Sequence, residues 1–168
     1  MKLDPGNENW MKAKYINPFI VAVNEVFAKS LDCSVTRSQV FASQNFTPLF
    51  DITGIIGMSG TAVGCVAISL SREVAIQATA WMTQQTPASE IDEDVADAVG
   101  EIANMIAGSS RAELGQDQLK ITLPTVKIGK SYSIDFPTKS FPICIGFASK
   151  WGPLAIQVGL KALEEEES

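Results

Sequence analysis

Apolar residues recur at helical spacing in long stretches of this chain and cluster or alternate in several shorter ones. This pattern predicts helices and strands in a definite order. Asn17 and Pro18 read as a helix start, with the asparagine as cap and the proline in the first turn, where its missing N–H costs nothing. Ile16, Ile20, Val23 and Phe27 then share one face, and the helix is expected to end near Leu31 and Asp32. Strands are expected over 34–42, 50–58 and 61–70, followed by a helix over 72–85 with Val74, Ala78, Trp81 and Met82 on one side. Thr86, Pro87, Ala88 and Ser89 break the pattern. Ser89 is the expected cap of a long helix reaching Leu114, with Gly115 as its stop. Glu90, Asp92, Glu93 and Asp94 fall in its first turns, where the helix dipole favours negative charge. Three further strands are expected over 119–128, 141–148 and 154–160.

The order is therefore helix and three strands, an inserted helix, then helix and three strands. Both halves end in an apolar hairpin with glycines at like places: Phe50 to Gly57 leading to Gly64 to Ile68, and Phe141 to Phe147 leading to Pro153 to Val158. The expected fold is α+β, a pseudo-twofold duplicated αβββ sandwich whose antiparallel-rich sheet packs with two long helices. One domain is expected over 1–168. It comprises a polar leader (1–14), a first half (15–71), an inserted helix and linker (72–89), a second half (90–163) and an acidic tail (164–168).

Composition removes several chemistries. There is no histidine among 168 residues, which excludes Ser-His-Asp and Cys-His catalysis, histidine zinc sites and histidine phosphotransfer. The net charge is −6 and the basic residues are scattered, so nucleic-acid binding is not expected. Cys33, Cys65 and Cys144 have no CxxC spacing; buried, reduced, inert thiols are the expectation. From Ile52 to Ser71 the chain carries no charge, as a membrane span would, but Gly57-Met58-Ser59-Gly60 interrupts it, and two strands joined by a tight turn fit better. With no membrane insertion and no signal-peptide stretch at the start, a cytoplasmic location is expected. A small-molecule site among the strands is not supported, because no polar cluster is evident there.

The long helix carries the candidate chemistry. At about 100° per residue, Val95, Val99, Ile102 and Ile106 form one apolar stripe. Asp94, Asp97, Glu101 and Asn104 lie on nearly the opposite face, with Gly108 one turn beyond. Glu101 and Asn104, three apart, project together. The surrounding residues are small: Ala98, Gly100, Ala103, Ala107 and Gly108. Gly100 costs about 1 kcal/mol relative to alanine inside a helix, and its missing side chain is expected to let another surface approach. Ser109 and Ser110 lack a general base and are expected to bond locally.

The run Gly100-Glu101-Ile102-Ala103-Asn104-Met105-Ile106-Ala107-Gly108 resembles the Glu-x-x-Asn signature of the CheC/CheX/FliY family of response-regulator phosphatases. The resemblance extends from Ile16 through the last strand. Larger members carry the motif in both long helices; here Glu25 is followed by Ala28, so the single site is similar to the CheX branch. The resemblance implies hydrolysis of the aspartyl phosphate on a CheY-like receiver domain. Asn104 would position the attacking water, Glu101 would pair with the receiver's active-site lysine, and Asp97, Gly100 and Gly108 would meet the partner. It further implies no cofactor of the chain's own, Mg²⁺ on the partner receiver, and a homodimer. The competing reading is a non-catalytic signalling adaptor that docks through the same helix.

Overall fold

The computed structural model describes residues 13–43, 45–114, 119–136 and 141–162. The expected leader, apart from its last two residues, the helix stop at Gly115, and the acidic tail lie outside them. Helix α1 (Ala13–Ser30) starts before its sequence signal and carries Pro18 inside it, so Asn17 is not its cap. A proline within a helix costs about 3 kcal/mol. Against that, Ile16, Phe19, Val23, Val26 and Phe27 are all buried on the inner face, each large side chain contributing roughly 1.5–3 kcal/mol. Burial outweighs the local penalty. The helix ends as expected: Asp32 takes a left-handed conformation (φ 48°), and the Cys33 amide donates to the Phe27 carbonyl at 2.9 Å.

The strands are β1 (Val35–Ala42), β2 (Ile52–Gly60), β3 (Ala62–Leu70), β4 (Leu119–Ile121), β5 (Thr125–Ile128), β6 (Ile143–Ser149) and β7 (Gly152–Ala162). Helices α2 (Arg72–Thr83) and α3 (Glu93–Leu114) separate β3 from β4. All strands belong to one antiparallel sheet in the order β1-β6-β7-β3-β2-β4, with β5 also on β2. This order is palindromic. Exchanging β3 with β7, β2 with β6, and β1 with the β4–β5 margin maps the sheet onto itself, as the pseudo-twofold expectation requires. The first strand of each half crosses to the other: β1 pairs with β6, and β4 and β5 pair with β2.

The uncharged run that could have passed for a span is the β2–β3 hairpin, and no helix among the described residues is long and apolar enough to cross a membrane. The single strand expected over 119–128 is divided. Met58 pairs with Ile121 and Ile55 with Thr125, so Leu123 and Pro124 together face the one residue Ile56. This is a β-bulge, and Pro124, which has no N–H to add to a ladder, sits in it.

Alternation along the strands gives the sheet two faces. Ile52, Ile56, Met58, Val66, Ile68, Leu70, Ile143, Ile145, Phe147, Leu154, Ile156 and Val158 form the main core with α1, α2 and α3. On the reverse face Cys65 and Ala67 lie beneath Ile134 and Phe136, with Phe46, Ile55 and Tyr132 packed alongside. This face also holds polar strand residues that the sequence reading overlooked: Thr53, Ser69 and Gln157, all fully buried. Hydrogen bonds engage all three, although Gln157 Oε1 is buried with no partner among the described residues. The Thr53 and Ser69 hydroxyls share a 3.0 Å bond, Ser69 accepts the Phe50 amide at 2.9 Å, and the Gln157 amide donates to the Thr47 carbonyl at 3.2 Å. The three cysteines are buried and unpaired, as expected.

Candidate active site on the third helix

Helix α3 begins at Glu93, later than its sequence signal. Asp92, not Ser89, is the cap: its Oδ1 accepts the Val95 amide at 2.9 Å, and its carbonyl accepts the Ala96 amide at 3.0 Å. Ser89 is occupied elsewhere, its carbonyl accepting a bond from the Arg72 guanidinium. That guanidinium also pairs with the exposed Glu73 at 2.9 Å.

Along α3 the predicted inner stripe is fully buried: Val95, Val99, Ile102 and Ile106 all have no exposed surface. Asp97, Glu101, Asn104 and Gly108 are exposed, on one stripe of the opposite face. Among the described residues neither Glu101 nor Asn104 is held by a hydrogen bond or an ion pair. A carboxylate and a carboxamide thus stand one turn apart on an exposed helix face, with no side-chain partner among the described residues. Nothing lies within 4 Å of where a Gly108 side chain would begin, so that end of the stripe is bare.

Gly100 does not share this exposure. It is buried, and a Cβ there would meet Val126 Cγ2 at 3.4 Å and Pro124 Cγ at 3.7 Å. The surface that approaches Gly100 is the chain's own β4–β5 margin, which corrects its placement among partner-facing residues. Its lack of a side chain lets the bulge close on the helix.

The opposite flank is α1. The Ser109 hydroxyl, 3.4 Å from Glu25 Oε2, donates to it across the two helices, and Ser110 Oγ donates to the Ala107 carbonyl at 2.8 Å. Ser110 bonds locally as expected; Ser109 instead ties α3 to α1. Glu25, the acid of the helix that lacks the motif, is therefore a structural acceptor. The described residues include no cluster of three or more His, Cys, Asp or Glu side chains able to hold a metal.

One neighbour of the site was missed at the sequence level. Leu123 is 86% exposed, and it adjoins the Pro124 that rests on Gly100. The signal was legible: a proline in the middle of an expected strand argues for a bulge or an edge.

The geometry is an exposed Glu-x-x-Asn helix laid across a palindromic sheet, and residues 52–148, which contain it, match the family of the chemotaxis phosphatase CheX. The chain belongs to the CheX family. It is 26% identical over 137 residues to the CheY-P phosphatase CheX of Thermotoga maritima, covering 80% of this chain and 86% of that one. A CheC-like superfamily protein from a Shewanella species superposes with a TM-score of 0.80 at 24% identity, over 90% of this chain and all of that one. The CheX of Borrelia burgdorferi, solved in complex with CheY, BeF3 and Mg²⁺, has a TM-score of 0.73 at 19% identity, over 88% of this chain and 97% of that one. At that identity the likeness concerns the fold.

Proposed function

We propose that this CheX-family chain accelerates hydrolysis of the aspartyl phosphate on a CheY-like receiver domain in a chemotaxis pathway. The observation that carries the reading is the unpaired, outward-facing Glu101 and Asn104 on a helix whose other face is wholly buried. A site exposed on a helix face in this way is completed by a partner. Support comes from the Thermotoga relative, a CheY-P phosphatase, and from the Borrelia relative seen with CheY; BeF3 is a phosphoryl mimic.

An acyl phosphate is already activated, and Mg²⁺ on the receiver supplies charge neutralisation at its oxygens. What α3 adds is position. The Asn104 carboxamide accepts a hydrogen from water and orients it in line with phosphorus without itself changing protonation. Water attacks, the bond from phosphorus to the aspartyl oxygen breaks, and phosphate and carboxylate leave. Glu101 supplies a carboxylate to the receiver's lysine and holds the helix in register. Exposed Asp97 and Gly108 extend the contact surface.

The same reading includes a homodimer joined through open sheet edges. Among the described residues β1 is paired only with β6 and the β4–β5 margin only with β2, so both are sheet edges. Sedimentation at micromolar concentration tests this; a monomer removes it. The catalytic reading is tested by the lifetime of a phosphorylated receiver with and without the protein. An unchanged lifetime with retained binding assigns the helix to an adaptor.

A further inference from the structure

Leu123 is the most exposed of the large hydrophobic residues among those described, at 86%. Exposed leucines are common, but this one is mounted on a braced support. The amide of Thr122 donates to the Gly57 carbonyl, and the Gly57 amide donates to Thr122 Oγ1, both at 2.9 Å. Thr122 Oγ1 donates in turn to the Leu123 carbonyl at 3.1 Å. On the other side Pro124 rests on Gly100, the residue before Glu101. The bulge places Leu123 and Pro124 opposite the single residue Ile56, and bulges re-aim side chains in this way. An apolar side chain is thus exposed on a braced backbone, next in the chain to the Pro124 that lies against α3 at Gly100.

We propose that Leu123 is a positioning residue for the receiver: an apolar anchor that enters a hydrophobic depression beside the partner's phosphorylation site when α3 docks. This deepens the phosphatase reading and rests on it. The occupant is argued from continuity. A partner that reaches Asn104 comes to the same helix that the bulge abuts at Gly100. The preorganised backbone removes the ordering cost that a mobile loop would pay on binding. A charged helix stripe alone gives orientation with little apolar burial; Leu123 supplies that burial.

The test is dephosphorylation of a CheY-like receiver at varied concentration by the full chain and by Leu123→Ser and Leu123→Met. Acceleration by the unmutated chain is checked first, and its absence defeats the phosphatase reading rather than this proposal. Given acceleration, Leu123→Ser is expected to raise KM by roughly tenfold or more, from the lost burial of one leucine, with turnover at saturation retained. Leu123→Met should restore most of the affinity. Circular dichroism should show both variants folded, since so exposed a side chain supports nothing beneath it. An unaltered KM in Leu123→Ser overturns the proposal. So does a loss of self-association in sedimentation with KM unchanged, which would assign Leu123 to a second copy of the chain.

Discussion

A Cβ on Gly54 would stand 2.7 Å from the Cβ of Ala103, closer than two such atoms come in folded proteins. Gly54 lies on β2, and Ala103 lies on α3 between Glu101 and Asn104 in the chain. Two small residues therefore set how closely the site helix lies on the sheet. Gly54→Val is expected to push α3 outward and destabilise the fold by about 1–3 kcal/mol, the usual cost of overpacking. Thermal denaturation measures the first effect. Dephosphorylation at a temperature where the variant is still folded measures the second, and a fall in rate is expected because the helix has moved.

Asn104 should behave oppositely. It is exposed, faces away from Val95, Val99, Ile102 and Ile106, and its loss leaves no cavity. Alanine is the better helix former, so Asn104→Ala should keep or slightly raise Tm. Turnover should fall roughly 100-fold if the amide places the water, while binding to the phosphorylated receiver persists. An unfolded variant would contradict the orientation of α3.

Glu101 should reveal itself in binding. If its carboxylate pairs with the receiver's lysine as proposed, removing it strands that lysine at the interface, at a cost of roughly 2–5 kcal/mol. Glu101→Ala should therefore weaken the complex as well as turnover, and Glu101→Gln should do nearly as much, because shape without charge does not make the pair. Calorimetric titration of a BeF3-treated receiver separates this from the Asn104 effect.

Asp92 offers a test of the cap. Asp92→Ala should cost about 1 kcal/mol by stranding the Val95 amide, whereas Ser89→Ala should change little. Paired thermal melts decide between them, and equal shifts would place the helix start wrongly.

Burial, and secondarily the charge of Asp135, together push the Cys65 thiol up to about 12. The folded state thus holds this proton more tightly than the unfolded chain, whose ordinary value is 9.0. The resulting stability is fully present below pH 9 and is lost as pH rises toward 12. At pH 8 a disulfide reagent should find Cys65 unreactive until denaturant is added. Rapid labelling of the native Cys65 thiol would contradict its burial.

Much of this was legible in local periodicity. A helix that must bury one side has its inner and outer residues assigned by the turn alone, so periodicity puts Val95, Val99, Ile102 and Ile106 inside and Glu101 and Asn104 outside. Glycines and serines in the middle of the 52–71 run similarly argued for a hairpin over a span. Boundaries were less legible, because competing local signals are weak and burial decides among them. Pro18 is carried inside α1 by the apolar face around it, and Asp92 displaces Ser89 as cap once Ser89's carbonyl meets Arg72.

The pairing of each half's first strand with the other half lay beyond sequence alone, since strands of the same composition can pair with any open neighbour. That crossing brings β5 against α3, closes Pro124 onto Gly100 and leaves the adjoining Leu123 exposed. Helical periodicity is a local property, and it is enough to say which residues of α3 face out. What stands next to them depends on strand pairing, because neighbours across a sheet are chosen by contacts between residues far apart in the chain.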